Sequence, residues 1–174
     1  PADAGPAYQA AKAMMAYDGP VYLRLGSGRE PEVFEEDAPF QIGKLRVVKE
    51  YGSDVAIFAT GFIMNRALEA LERLKEKGVY GILADVSTAK PIDSKGVAEI
   101  LKRTNCAVAI EDHNFYGGMS SAICEIACQD HPCRVIRLGL RDEYPRSGHA
   151  AELLDAYGLS VDAMIAGALK AMSK

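Results

Sequence analysis

Three side chains able to exchange protons stand consecutively at Glu111, Asp112 and His113, and two glycines, Gly117 and Gly118, follow in the same run, AVAIEDHNFYGG at residues 107–118. His113 could be an acid–base group or an ordinary hydrogen-bonding residue of a polar loop, and glycines let a backbone approach another molecule closely. The apolar residues Cys106 to Ile110 predict a strand that gives way to a loop at Glu111 and to a helix after Gly118. In an α/β sheet the carboxyl end of a strand is where loops and helix N-termini converge on ligands. Two readings stand open: a site or interface built on Glu111, Asp112, His113, Gly117 and Gly118, or acids that cap the next helix and orient the turn.

Elsewhere the residue types are less pointed. Thr60-Gly61, between a predicted strand and a helix, could offer backbone donors to an anion, but a tight strand-to-helix turn is the favoured account. Arg141, Arg146 and Ser147 suit an anion contact or a solvated loop with Ser147 near a helix start. Cys124, Cys128, His131 and Cys133 fall close together, but their spacing has no paired-ligand pattern and Pro132 separates them, so free buried thiols are expected and no metal is assigned. No GxSxG elbow, GxxxxGK[ST] loop or HExxH helix is present.

The elements that must hold these residues can be read from periodicity. Tyr8 to Tyr17 predicts a helix and Val21 to Leu25 a strand, followed by Gly26 to Gly43, rich in glycine, proline and acids, which reads as a linker. A helix and a single strand before a linker look like the end of a preceding domain in a larger protein. From Lys44 the pattern is regular. Leu45 to Glu50 and Val55 to Thr60 suggest a hairpin around Gly52-Ser53-Asp54. Ile63, Ala67, Ala70, Leu71 and Leu74 form a helical stripe stopped at Gly78. Tyr80 to Val86 predicts a strand and Pro91 to about Lys102 a helix. After Cys106 to Ile110 come a helix at Met119 to Cys128 and a strand at Arg134 to Leu138. Two helices close the chain, Ala150 to Tyr157 and Val161 to Met172, the second with Val161, Ile165, Leu169 and Met172 on one face. The βαβαβ alternation implies an α/β fold, a three-layer α/β/α sandwich with about five strands, mostly parallel, and right-handed crossovers.

Composition bounds the partners. With 20 basic residues scattered among 24 acidic ones, a net charge of −4 offers no basic patch for nucleic acid. No apolar run approaches the roughly 20 residues of a membrane span, and Pro1-Ala2-Asp3-Ala4-Gly5 has no signal-peptide pattern. A cytoplasmic protein is expected.

Four segments in order resemble one family. AIEDHNFYGG resembles the VEDHxxxGG segment of transketolases, RDEYPRSGHAAELLDAYGLS their VPRSGKPAELL-type segment, DVSTAKPID their KPxD segment, and GPVYLRLG the last strand of their pyrimidine-binding domain. The resemblance implies that residues 1–25 are the tail of that domain, 26–43 a linker, and 44–174 a transketolase C-terminal domain. It implies a complete enzyme that uses thiamine diphosphate and a divalent metal to move a two-carbon ketol unit between sugar phosphates. Because the family holds both in its earlier regions, this chain is expected to bind neither and to be inactive alone. Its partners would be the N-terminal cofactor-binding domain or subunit and a further copy in a homo-oligomer, with the 111–118 loop at the interface. The competing implication is a non-catalytic assembly module of a related thiamine enzyme, a deoxyxylulose-phosphate synthase-like protein or a 2-oxoacid dehydrogenase β-subunit. Two departures stand out: Ser27 replaces the family's phosphate-contacting arginine, with Arg29 two residues on, and His149 replaces its usual lysine after SG.

Overall fold

The computed structural model describes residues 1–26 and 31–173. Among them, six helices and five strands follow in the order α1 (Ala4–Met15), β1 (Arg46–Glu50), β2 (Val55–Ala59), α2 (Met64–Glu76), β3 (Gly81–Asp85), α3 (Ser94–Thr104), β4 (Cys106–Asn114), α4 (Met119–Asp130), β5 (Arg134–Leu140), α5 (Ala150–Ala156) and α6 (Val161–Met172). No helix among the described residues is long and apolar enough to cross a membrane. The strands form one sheet in the order β1-β3-β2-β4-β5, parallel except for β1.

The alternation of each central strand sorts its side chains to two faces. Val55, Ile57, Ala59, Leu83, Val108 and Ile110 meet α2 and α6 on one side. Ala56, Phe58, Ile82, Ala84, Ala107 and Ala109 meet α3 and α4 on the other. The three-layer α/β sandwich expected from the sequence is therefore present.

The expected hairpin is not. β1 pairs antiparallel with β3, and β3 lies between β1 and β2. The burial of the strands explains this: all five residues of β2 are buried, so β2 needs neighbours on both edges, whereas β1 is half exposed and suits the rim. The Gly52-Ser53-Asp54 turn bonds to the start of β3, Asp54 N–H donating to the Tyr80 carbonyl at 2.8 Å and Tyr51 N–H to that of Gly81 at 3.0 Å.

Other expectations shift for local reasons. The first helix begins at Ala4, four residues early, and Val21 to Leu25 forms no strand, since no sheet edge among the described residues lies alongside it. The α3 helix starts at Ser94, where Asp93 caps it by accepting from Gly96 N–H at 3.1 Å. In α6 the buried stripe is Met164, Ile165, Ala168 and Ala171, while Leu169 and Met172 are exposed. Gly167 lies on the buried face, where the helix packs against Ile136 and Val108.

Successive connections after β2 and β3 leave to opposite faces of the sheet, which opens a crevice at their carboxyl ends. Residues 1–3 pack along its β2 side. Ala2 is packed in the same core cluster as Ile63, and the Pro1 carbonyl oxygen lies 3.9 Å from where a Gly61 Cβ would stand. Asp3 is 5% exposed and accepts from the N–H groups of Val33 and Phe34 at 2.6 and 2.9 Å. The Phe34 ring stacks 3.6 Å from the Arg46 guanidinium, whose Nη2 donates to Asp85 Oδ2 at 3.0 Å. The segment expected to be a linker is thus packed onto the sheet at 33–34.

In the first turn of α2, Arg66 ties down the C-terminal helices. Its guanidinium donates to Asp155 Oδ1 at 2.5 Å, to the Leu159 carbonyl at 3.3 Å and to the Ala151 carbonyl at 3.1 Å. Charged donors to carbonyls are worth about 1.5–3 kcal/mol where water is displaced, and the exposed Asp155 adds little. Arg66→Ala is expected to lower the unfolding free energy by about 1–3 kcal/mol in urea titrations, with amide exchange quickening first in α5. Equal protection of α5 in both proteins would refute the clamp.

Candidate functional site

β4 outlasts its predicted end. The strand runs on through Glu111, Asp112 and His113 to Asn114, so these residues are strand and not loop. A register shift against β5 falls between Ile110 and Asn114, and within it Glu111 reaches the start of α4 while Asp112 meets Arg24 and His113.

Glu111 is fully buried. Its Oε2 accepts from Met119 N–H at 2.7 Å, and its Oε1 accepts from Ser120 N–H at 3.2 Å and from Ser120 Oγ at 2.5 Å. A carboxylate at a helix N-terminus satisfies amides that lack an intrahelical partner and meets the positive end of the helix dipole. Gly118, the residue before α4, offers no side-chain cap, so a strand residue several positions earlier does the capping. The close approach at Gly118 serves this arrangement: a Cβ there would collide with the Glu111 carboxylate. Gly118 is therefore required by a contact within the chain, whatever lies outside it. Gly117 has φ +72° with nothing within 4 Å of its missing Cβ, so its glycine serves the turn itself.

His113 lies between the two acids, Nε2 at 2.9 Å from Glu111 Oε2 and Nδ1 at 3.2 Å from Asp112 Oδ1. Hydrogen bonds to Asp112 and then to Glu111 outweigh partial burial and raise the imidazole pKa from 6.5 to about 9. Burial pushes both carboxyls up, but their bonds to His113, joined by Ser120 at Glu111 and Arg24 at Asp112, leave them below the usual carboxylate range. An imidazolium with both nitrogens engaged has no lone pair with which to take a proton. The cluster is a bound charge, not a poised general base. Arg24, from the segment after α1, reaches Asp112 Oδ1 at 3.4 Å.

The sign of the pH dependence follows from the raised value. The bridge contributes in full below pH 6.5 and is lost as pH rises toward about 9, where the folded imidazole deprotonates. In His113→Gln this alkaline loss of stability is expected to disappear; a stability–pH curve identical to the parent's from about pH 6 to 10 would count against the bridge.

The far wall of the loop was not anticipated from sequence. Arg137 Nη2 donates to the Phe115 carbonyl at 2.6 Å, and its guanidinium stacks 4.3 Å from the Phe115 ring. Only the position of an arginine in an otherwise apolar strand hinted at it. Ser27 and Arg29 lie outside the described residues. Arg141, Arg146 and Ser147 stay in an exposed loop, and Thr60-Gly61 is a tight turn, with Gly61 at φ +65° opening a single 3-10 turn, Gly61–Ile63. Of the four cysteines only Cys106 is buried; Cys128 is exposed, correcting the buried assignment. His131 is turned to Asn105 Oδ1 at 3.0 Å.

A family model described as "Transketolase, C-terminal domain" matches residues 43–164. The chain belongs to that family. It is 38% identical over 163 residues to the putative transketolase C-terminal section of Methanocaldococcus jannaschii, covering 91% of this chain and 50% of that protein. It is 30% identical over 175 residues to one of the subunits of the apulose-4-phosphate transketolase of Phocaeicola vulgatus, covering 100% and 55%. A solved split-gene transketolase, an inactive β4 tetramer, superposes with a TM-score of 0.94 at 34% identity over 99% of this chain and 56% of that one. The chain spans about half the length of the curated relatives it matches.

Transketolase-family membership raises the question of thiamine diphosphate and its metal. The side chains present do not fit them. Among the described residues no three His, Cys, Asp or Glu side chains converge to hold an ion, and both Glu111 oxygens are committed to α4 and His113. Residues 1–3 pack at the carboxyl end of β2, and the cavity beside the end of β3 is lined by Arg46, Asp85 and Ser87, whose one acid is paired with Arg46.

Proposed function

We propose that this chain is the C-terminal part of a thiamine-diphosphate-dependent transketolase that transfers a two-carbon ketol unit between sugar phosphates, and that its own task is assembly. The observation that supports this reading is the match of residues 43–164 to the transketolase C-terminal domain in a chain that spans about half the length of its relatives. Residues 1–25 act as the end of the pyrimidine-binding domain, 26–43 as the connection and 44–174 as the C-terminal domain. The partners are an N-terminal cofactor-binding section and a further copy of the enzyme. Val21, Tyr22 and Leu25, all exposed, supply a strand to that neighbour, and the run holding Glu111, Asp112, His113, Gly117 and Gly118 lies at or near the contact. Ser27 stands in sequence where the resemblance puts a phosphate-contacting arginine, with Arg29 two residues on, and a single neutral hydroxyl would grip the sugar phosphate more weakly than an arginine fork.

The test mixes this chain with a transketolase N-terminal section. A stable complex by light scattering, with ketol transfer that requires both components, thiamine diphosphate and magnesium, is the expected result. Micromolar binding of thiamine diphosphate by this chain alone, or turnover without the N-terminal section, overturns the assignment.

A further inference from the structure

The Glu111 cap and the Arg24 contact share one histidine. Arg24 approaches from the N-terminal segment with a 62% exposed side chain and meets Asp112. His113 bridges Asp112 to Glu111, and Glu111 holds the first amides of α4. An exposed ion pair at 3.4 Å is weak, so Arg24 is free to leave when its segment is recruited elsewhere. The Glu111 end is fully buried and cannot exchange its partners for water. A chain with one loose end and one fixed end transmits the state of the loose end inward.

We propose that His113 is a positioning residue that couples the seating of the Arg24 segment to the order of the α4 N-terminus. While Arg24 sits on Asp112, the aspartate's charge is shared and the imidazolium leans on Glu111. When Arg24 departs, Asp112 draws His113 toward itself, Glu111 loses part of its counter-charge, and the Met119 and Ser120 amides open more often. The groups facing His113 are Asp112 and Glu111 on its own strand, with Arg24 acting from the N-terminal segment. The coupling is a property of the chain alone. Its use in assembly, where a partner recruiting residues 21–25 would loosen α4, rests on the proposed function.

The experiment is a double-mutant cycle read by amide exchange at Met119 and Ser120, with the His113 ring followed by NMR titration. Arg24→Ala is expected to speed exchange at both amides by about threefold and to raise the His113 titration point by about 0.3 pH units or more, as one opposing positive charge is removed. In His113→Gln, whose side chain carries no charge, the exchange effect of Arg24→Ala should vanish. An equal effect in both backgrounds, or none in either, overturns the proposal. If His113→Gln does not fold, an unmoved His113 titration in Arg24→Ala overturns it by itself. Both measurements use this chain without partner, so failure to bind an N-terminal section leaves their outcome intact.

Discussion

Glu111→Ala is expected to cost about 3–5 kcal/mol of unfolding free energy, because it removes one partner of a buried charged network and leaves the other members in place. Two amides, the Ser120 hydroxyl and the His113 imidazolium lose their acceptor together. None of the first three has a nearby substitute, since Gly118 at the cap position has no side chain. Glu111→Gln should be milder: it keeps one acceptor oxygen but turns an NH₂ group toward another donor. The carboxyl's lowered pKa adds an acid limb. Its stabilisation is present above pH 4.5 and is lost as pH falls through the folded value. Equilibrium denaturation of both variants at neutral pH checks the ranking; a loss under about 1 kcal/mol for Glu111→Ala would mean that water replaces the cap and that the network contributes little.

Gly118→Asp is expected to be at least as damaging, about 4 kcal/mol or more, the range reserved for substitutions with a named steric or electrostatic cause. The added Cβ enters the space of the Glu111 carboxylate, and the added charge faces a like charge that cannot be solvated there. Gly117→Ala provides the control: with open space around it and a positive φ, it carries only backbone strain, about 1 kcal/mol. Thermal melts should rank Gly118→Asp far below Gly117→Ala. Any loss of association in Gly118→Asp should track the loss of α4 structure. A fully folded Gly118→Asp protein that fails only to associate would show that Gly118 serves a subunit contact and not the Glu111 cap.

The sequence revealed the layers well because periodicity reports burial directly. The stripe of Ile63, Ala67, Ala70, Leu71 and Leu74 is buried as α2 requires, and the βαβ alternation carried the parallel core. Pairing was less legible. Nothing local in Leu45 to Thr60 says that a strand more than one element away will enter between the two runs, since insertion is decided by how completely β2 is buried. The acids of the 111–118 run were found by type, and the cap was one of the two roles considered. Its identity was hidden because the capping carboxylate comes from the preceding strand, so a search for Ser, Thr, Asp or Asn just before the helix passes over it. The contributions of Arg24 and Arg137 depend on contacts that close only in three dimensions.

The placement of β1 also has a cost in time. Arg46 finds Asp85 and Glu50 finds Ile82, so during synthesis the first strand leaves the ribosome before either of its partners exists. At about 5–20 residues per second it waits a few seconds as an unpaired ribbon, open to the same ribbon on a neighbouring nascent chain. Arg46, Lys49 and Glu50 put charges along three of its five positions, and such charges discourage pairing between ribbons. On crowded polysomes, neutralising those three residues together should raise the insoluble fraction well before it changes the melting temperature of the finished protein.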